Sequence, residues 1–271
     1  MSILAKLFDI IKRFFLVKER MEHEQPLPTI ESPPEVIVPP VVEPEVVEDV
    51  EVPHVDTLLD AVKVEAIKEG VLTKDIIISS IISVEAGYVD HPDDRGGKTN
   101  MGITEAVAKE NQKMLKDRFN WNGDMRTINY NMAYAIYEAK YWNKLQLDAV
   151  SKYSIYVADK MFDLGVNVGT ARVGKWVQEF LNVSNRAQKD YADIGVDGSI
   201  GGGTMRAMDS LIAKRGKKDV METLLLILIS RQGTHYTELA LKSESQESFY
   251  WGWVNNRLKH HLNIYMKALS K

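Results

Sequence analysis

The distribution of proline and glycine divides this chain of 271 residues into two parts with different folding capacity. Eight of the nine prolines lie between Pro26 and Pro53, whereas none of the 17 glycines precedes Gly70. Proline lacks a backbone donor and clashes with the preceding helical turn, so the proline-rich part cannot form a helix. We therefore predict an extended spacer over residues 25–56, partly in the polyproline II conformation, and a folded part after it.

The charge of the chain is divided at the same position. Residues 1–56 hold five basic and twelve acidic residues, whereas residues 57–271 hold 29 basic and 26 acidic ones. The spacer carries eight acidic residues and no lysine or arginine, so it repels itself and favours extended conformations. Its nine valines leave open the alternative of an irregular arm that packs on the folded part. The folded part is mildly basic, which suits a polyanionic polymer better than the net charge of -4 suggests.

Residues 1–24, before the spacer, show a separate amphipathic pattern. Apolar residues recur at helical spacing from Ile3 to Phe15, with charged residues between them. We predict a helix that is too short and too charged to cross a membrane and that lacks the cleavage site of a signal peptide. Residues 1–18 are predicted to meet a membrane surface or a protein partner, or else to fold back on the core.

Composition excludes several classes of function. The chain has no cysteine, which rules out disulfides, thiolate metal sites and a cysteine nucleophile. Its six histidines show no metal-binding spacing, and the pair at 260–261 is expected to be a solvated end. The sequence shows no phosphate-binding loop, and a pI near 5.9 argues against a nucleic-acid binder. We therefore predict no metal, no cofactor and no nucleic-acid partner.

From residue 56 onward the periodicity is mainly helical, so we predict a mainly α fold. Thr73 or Asp75 is predicted to start the second helix. Residues 87–104, with four glycines and Pro92, are predicted to form a loop that holds a small hairpin. The predicted helices span residues 56–68, 75–85, 104–117, 128–145, 151–164, 170–182, 203–215, 218–241 and 246–268.

Two acidic residues at the edge of this loop suggest chemistry. Glu85 ends an apolar segment, so poor solvation should raise its pKa toward the range that a general acid needs. Asp94 follows nine residues later in a polar loop beside Arg95, where it should stay ionised. Two carboxyl groups in contrasting environments are typical of glycoside hydrolysis. A Glu and an Asp at this spacing are common by chance, so the interpretation depends on the surrounding sequence.

Glu85 and Asp94 lie within a longer characteristic string. It reads Glu-Ala-Gly-Tyr-Val at 85–89, Asp-Asp-Arg-Gly-Gly-Lys-Thr-Asn at 93–100 and Gly-Ile-Thr at 102–104. This string resembles the signature of glycoside hydrolase family 108, which reads Glu-Gly-Gly at its first position. Members are lysozyme-like N-acetylmuramidases, common in bacteriophages and Gram-negative bacteria. The resemblance implies a lysozyme-like helical domain with Glu85 as the catalytic acid.

The resemblance also implies roles for residues near the acid. Asp94 would stabilise positive charge on the sugar or help to position water. Phage lysozymes of the wider superfamily hold that water with a threonine shortly after the aspartate, and Thr99 and Thr104 are both candidates here. Tyr88 and Asn100, which lie in the matching string, are assigned to substrate binding.

Two further elements extend the resemblance downstream. Tyr141-Trp142 is similar to a Tyr-Trp element of the family, and Tyr141 is assigned to substrate binding. The string Phe-Asp-Leu-Gly-Val-Asn-Val-Gly at 162–169 is similar to a second element. Its Asp163 and Asn167 lie four residues apart on one helical face, where they either bind the sugar or brace the active-site loop.

The C-terminal part resembles the predicted peptidoglycan-binding domain that follows family 108 catalytic regions. The matching elements are residues 176–183, 197–204 and 249–257. Trp251 and Trp253 in the last element could offer flat faces to sugar rings. The alternative is that the pair is split, with one of the two indoles in the core.

We therefore predict an amphipathic helix at 1–24, a spacer at 25–56, a muramidase domain at 57–168 and a peptidoglycan-binding helical domain at 169–271. The predicted activity is hydrolysis of the β-1,4 bond between N-acetylmuramic acid and N-acetylglucosamine, by a phage endolysin or a virion-associated lysozyme. Such an enzyme would be made in the host cytoplasm or carried in a virion, and would act on the cell wall in the periplasm. The alternatives are a lytic transglycosylase and a wall-binding virion or envelope component with little catalysis.

Overall fold

The structure of the chain, a computed structural model, describes residues 55–82, 88–89 and 97–269. These residues are mainly helical with one small hairpin, which confirms the predicted fold class. The predicted helix at 1–24 and all but the last two residues of the predicted spacer lie outside the described residues. None of the described helices is both long and apolar enough to cross a membrane.

The described chain begins with short elements and continues with longer helices. The first elements are α1 (Val55–Glu69), α2 (Lys74–Ser79), β1 (Thr99–Asn100), β2 (Ile103–Thr104), α3 (Glu105–Glu110), α4 (Gln112–Phe119), a 3-10 turn (Met125–Thr127), α5 (Tyr130–Tyr137), a π-helical turn (Glu138–Trp142) and α6 (Leu147–Val150). They are followed by α7 (Ile155–Val168), α8 (Thr170–Ser184), α9 (Gly202–Arg215), α10 (Lys217–Lys242), α11 (Glu244–Gly252), a second π-helical turn (Trp253–Lys259) and α12 (His260–Leu269).

Threonine caps determine where two of the helices begin. The extended residue Thr73 accepts a hydrogen bond from the Ile76 N–H at 3.3 Å and so starts α2, as one of the two predicted alternatives. Thr104 accepts one from the Val107 N–H at 3.4 Å and starts α3. Each cap satisfies a backbone donor that the first helical turn leaves without a partner.

Helix α2 ends at Ser79, earlier than the predicted residue 85. The Ser79 hydroxyl is hydrogen-bonded to the Asp75 carbonyl at 2.5 Å and to the Tyr130 hydroxyl at 2.6 Å. Serine hydroxyls that bond to nearby carbonyls compete with the helical ladder, which is consistent with a helix end here. Residues 83–87 lie outside the described residues.

The predicted hairpin is present at 99–104. Strands β1 and β2 are antiparallel, with Thr99 opposite Thr104 and Asn100 opposite Ile103. The two turn residues, Met101 and Gly102, both have positive φ, at 52° and 72°, which is the geometry of a two-residue type I′ turn. A side chain on Gly102 would also meet the Tyr137 hydroxyl at 2.8 Å, so the packing favours glycine.

Three predicted helices are interrupted. The predicted helix at 128–145 becomes α5 and a π-helical turn that ends at Trp142. The predicted helix at 104–117 is divided at Asn111, whose side chain donates to the Val107 carbonyl at 2.8 Å. The predicted helix at 246–268 becomes α11, a π-helical turn and α12. The π-helical turn brings Arg257 against the end of α7, a contact described below.

One hydrophobic core runs through the described residues. Helix α7 contributes Phe162 and Leu164, neither of which is exposed. Helices α8 and α10 pack against α7, and α12 packs against α1 near the start of the described chain. The predicted domain border between residues 168 and 169 therefore lies within continuous packing.

Candidate active-site region

The two predicted carboxyl groups, Glu85 and Asp94, lie outside the described residues. Described neighbours lie on both sides of the segment that holds Asp94. The Val89 N–H donates to the Thr99 carbonyl at 2.8 Å, and the Thr99 N–H donates to the Val89 carbonyl at 2.9 Å. This pair of hydrogen bonds joins the residue before the segment to the hairpin after it, so both ends of the loop are held at one place.

The hairpin brings the two candidate water-holding threonines together. Thr99 and Thr104 are directly opposed across the two strands, and both are half-buried. The Thr99 hydroxyl donates to the Gly97 carbonyl at 3.2 Å, which leaves its oxygen able to accept. The Thr104 oxygen caps α3, which leaves its O–H able to donate. The two hydroxyls thus offer complementary hydrogen-bonding capacity at one position.

Asn100 holds the hairpin against the 3-10 turn. Its side chain is 6% exposed, and its amide nitrogen donates to the carbonyls of Met125 at 2.9 Å and Ile128 at 3.1 Å. These bonds connect two segments that are about 25 residues apart in sequence. The nitrogen is therefore committed to the backbone, and this arrangement favours a positioning role for Asn100 over direct contact with substrate.

Tyr88 and Tyr141 are both only partly buried. The Arg126 guanidinium lies 5.6 Å from the centroid of the Tyr88 ring, a cation–π contact between the loop and the 3-10 turn. Tyr141 lies in the first π-helical turn, with its ring 5.7 Å from that of Tyr137 and 6.3 Å from that of Phe162. Burial raises the pKa of the Tyr141 hydroxyl, which therefore stays protonated and able to donate.

Asp163 and Asn167 lie near the C-terminal end of α7, where they are joined by a hydrogen bond. The Asn167 amide nitrogen donates to the Asp163 carboxylate at 3.1 Å and to its backbone carbonyl at 2.8 Å. Arg257 donates to the Asn167 side-chain oxygen, and its Nε lies 3.4 Å from the Asp163 carboxylate. Asp163 is 2% exposed, whereas Asn167 is exposed. Asn167 is thus the solvent-exposed member of the pair, and its amide is oriented by Asp163.

Asp163 is ionised despite its burial. Burial acts to raise the pKa of Asp163, but the positive charges of Lys160 at 3.0 Å and Arg257 outweigh it and hold the pKa well below its usual range. His261 lies 3.6 Å from the same carboxylate, but burial lowers the pKa of His261 well below its usual value, so His261 is uncharged. Lys160 and Arg257 are therefore the cations that balance Asp163.

Three members of this cluster, Lys160, Arg257 and His261, were not assigned a role from the sequence. The expectation of a solvated end for His261 is wrong, because α12 folds back and leaves the His261 side chain only 14% exposed. One local signal was available. Lys160 precedes Asp163 by three residues, and Arg257 precedes His261 by four, so each pair shares a helical face.

The tryptophan pair of the C-terminal part is split between two environments. Trp251 is 75% exposed. Trp253 is half-buried, with its ring 5.3 Å from that of Tyr236 and stacked on that of Phe249 at 6.1 Å. Trp251 alone therefore presents a free aromatic face of the kind that packs on sugar rings.

Apart from Tyr88 and Tyr141, the predicted site residues that the structure describes form three groups. Thr99, Asn100 and Thr104 lie in the hairpin, Asp163 and Asn167 near the end of α7, and the two tryptophans in or beside the second π-helical turn. Arg257 connects the last two groups, because it lies in the same π-helical turn as Trp253 and contacts Asn167. Within the described ranges, no three His, Asp or Glu side chains are arranged to hold a metal ion.

Comparison with known families supports this order of regions. Residues 78–169 match the family model for glycosyl hydrolase 108, and residues 172–258 match that for a predicted peptidoglycan domain. A similar solved structure, titled "Structure of Brucella abortus SagA", is 23% identical over 78% of this chain and 95% of that one, with a TM-score of 0.44. No curated protein matches the chain.

Proposed function

We propose that this chain, which carries a glycosyl hydrolase 108 region followed by a peptidoglycan domain, is an N-acetylmuramidase. The two family matches support a glycosidase that acts on peptidoglycan. The proposed activity is hydrolysis of the β-1,4 bond between N-acetylmuramic acid and N-acetylglucosamine. The observation that carries the proposal is the first family match, because it includes the string that holds Glu85 and Asp94.

In the proposed mechanism, Glu85 donates its proton to the glycosidic oxygen as the bond to the sugar carbon breaks. Asp94 stabilises the positive charge that develops on the sugar, or helps to position water. A water molecule held by Thr99 or Thr104 supplies the oxygen of the new bond, and the proton that it loses restores protonated Glu85, directly or through solvent. The support for this last step is the pairing of the two threonines at the end of the loop that holds Asp94.

The test is mass spectrometry of the soluble fragments that the protein releases from purified peptidoglycan. We expect fragments that end in reducing N-acetylmuramic acid. Glu85→Gln should lower the rate of release by about 100- to 10,000-fold, the usual contribution of a general acid, without changing the fold. Glu244→Gln is a matched control, because Glu244 is exposed on α11, and it should leave the rate unchanged.

Each alternative has its own outcome in this experiment. Full activity of Glu85→Gln would contradict the mechanism. Fragments with anhydro-muramic ends would identify a lytic transglycosylase, which needs no attacking water. Binding to the wall without any release of fragments would identify a wall-binding component. Asp94→Asn should cost less activity than Glu85→Gln, and a neutral effect would remove Asp94 from the mechanism.

We also propose that residues 1–56 tether the enzyme, as part of a phage endolysin or a virion-associated lysozyme. The support is the amphipathic pattern at 1–24 followed by an acidic, proline-rich spacer. Flotation with phospholipid vesicles tests the membrane alternative, with a chain that begins at residue 55 as the control. If the full chain floats with the vesicles and the shorter chain does not, the partner is a membrane surface. If neither chain floats, a protein partner or a contact with the core is favoured.

A further inference from the structure

A pocket of about 270 Å³ lies between α8 and α10, and its lining residues fall within the match to the peptidoglycan domain. Its volume is close to the lower limit of about 300 Å³ for typical small-ligand sites. None of the predicted catalytic or substrate-binding residues lines it. The lining residues that matter here are Arg172, Trp176, Arg231, His235, Glu238 and Lys242.

The lining carries more positive than negative charge. Arg231 is paired with Glu179, with 3.0 Å between the guanidinium and the carboxylate. Within the described part of the chain, neither Arg172 nor Lys242 has a carboxylate within 4.0 Å. Glu238 is the acidic residue of the lining. The pocket therefore holds cationic groups whose charge the described residues do not neutralise by direct pairing.

The position of Arg172 is defined by an uncharged aromatic neighbour. Its Nη1 lies 3.1 Å from Nε2 and 3.3 Å from Nδ1 of His235. Burial and the charge of Arg172 lower the pKa of His235, and they outweigh the opposing charge of Glu238. The imidazole is thus neutral near pH 7, and its ring packs edge-on against Trp176 at 6.4 Å. The guanidinium of Arg172 therefore lies beside an uncharged aromatic surface formed by His235 and Trp176.

We propose that this pocket binds a carboxylate of the acidic stem peptide of peptidoglycan. A guanidinium can donate two parallel hydrogen bonds to a carboxylate, which supplies both charge and orientation. The Trp176 and His235 rings offer an apolar surface to the adjoining peptide carbons. A neutral sugar would leave the charge of Arg172 without a counterion, so the arrangement favours the peptide over the glycan. The choice of polymer rests on the proposed function, whereas the pocket is separate from the predicted catalytic residues.

The test is cosedimentation of full-length protein with crosslinked peptidoglycan sacculi whose stem-peptide carboxyl groups are either free or converted to amides. All proteins carry Glu85→Gln so that the polymer is not consumed, and a carbodiimide with an amine amidates half of the sacculi without cutting their crosslinks. Arg172→Gln should weaken binding to unmodified sacculi about tenfold, the loss expected for a charged hydrogen-bonded pair. Arg206→Gln is the matched control, because it removes one exposed arginine on α9, and it should bind like the parent.

The decisive comparison is between the two kinds of sacculi. On amidated sacculi, which lack the stem-peptide carboxylates, the parent and Arg172→Gln should bind equally and weakly. Equal binding of the two proteins to unmodified sacculi would overturn the proposal. An equal loss on both kinds of sacculi would identify the glycan as the ligand, and an equal loss in Arg206→Gln would identify unspecific charge attraction.

Failure of this proposal is distinguishable from failure of the proposed function. Binding of the soluble stem tripeptide, measured by calorimetry, does not depend on hydrolysis and should show the same loss in Arg172→Gln. Fragment release by the protein with an intact Glu85 reports on the muramidase assignment alone. A protein that releases fragments but shows no effect of Arg172→Gln would overturn the pocket assignment and leave the muramidase in place.

Discussion

Lys160 is a fully buried lysine whose ammonium group has three acceptors for its three N–H bonds. These are the Asp163 carboxylate at 3.0 Å, the Gln232 side-chain oxygen at 2.6 Å and His261 Nδ1 at 2.9 Å. Burial lowers the pKa of Lys160, while Asp163 opposes this shift. An ammonium with every proton engaged avoids most of the cost of an unpaired buried charge. The contact from Lys160 also requires His261 to accept at Nδ1, which is the uncharged form.

The uncharged state of His261 predicts a pH dependence of stability. Burial lowers the pKa of His261 well below 6.5, whereas the unfolded chain takes up a proton near that pH. The contribution of the uncharged His261 to the free energy of unfolding should therefore be fully present above about pH 6.5. It should fall as the pH drops toward the lowered pKa. The slope from this group is at most about 1.4 kcal/mol per pH unit. Asp163 stays ionised in this range, because its own pKa is lowered.

Urea unfolding at pH 7.5, 6.5 and 5.5 measures this slope. His261→Gln removes the titrating group while it keeps a polar side chain beside Lys160. The variant should be less stable at pH 7.5 but show a shallower loss of stability toward pH 5.5. Parallel curves for the two proteins would show that His261 does not titrate as its burial implies.

At the scale of elements, the close approach of α8 to the loop at 185–201 depends on glycine. A Cβ added to Gly174 would lie 2.0 Å from the Gly198 carbonyl oxygen, a contact that real structures do not contain. The buried Gln178 holds the same loop, because its side chain accepts from the Gly198 N–H at 2.7 Å and donates to the Ser199 carbonyl at 3.0 Å. The helix and the loop therefore pack backbone to backbone, with Gln178 satisfying the polar groups.

Two glycine substitutions should act in opposite directions. Gly174→Ala should lower the free energy of unfolding by about 1–3 kcal/mol, because the loop must move away from the helix. Gly203 lies in α9, where an added Cβ would meet nothing within 4 Å. Gly203→Ala should therefore raise the free energy of unfolding by up to about 1 kcal/mol. Urea denaturation of both variants checks the pair. Similar effects for the two would show that helix propensity, not the contact with Gly198, decides the result.

At the scale of the whole molecule, the two matched regions share one core and one polar cluster. Phe162 of α7 and Leu224 of α10 belong to the same buried set. Tyr265 of α12 donates to the Asp159 carboxylate at 2.6 Å, and Lys63 of α1 lies 2.7 Å from that carboxylate. The first and last described helices therefore meet at α7, and this packing connects the peptidoglycan domain to the fold of the glycosidase region.

Truncation tests this dependence. A chain of residues 55–169 should fail to unfold cooperatively, because the faces of α1 and α7 that pack on α10 and α12 would be exposed to water. A chain of residues 55–271 should unfold like the full-length protein and retain hydrolysis of purified peptidoglycan. Circular dichroism melting and fragment release measure the two properties. A cooperative, active 55–169 fragment would show that the glycosidase region is an independent domain.

Much of the local structure was predictable from the sequence. The cap at Thr73, the positions of the longer helices and the small hairpin in the glycine-rich loop follow from capping chemistry, periodicity and turn geometry. Each of these signals acts over only a few residues. The family resemblance was equally local, because its strongest string spans residues 85–104 and is confirmed by the match at 78–169.

Which polar residues meet depends on the packing of segments that are distant in sequence. Lys160 contacts Gln232 and His261 across 72 and 101 residues of sequence, and Arg257 reaches Asn167 across 90. Hydrophobic periodicity shows which face of a helix is buried, but it does not show which other helix covers that face. Local sequence signals therefore account for most of the helices, the hairpin and the family match. The packing of α10 and α12 on α7 determined the single core and the buried cluster, because free energy is gained there only when distant segments exclude water together.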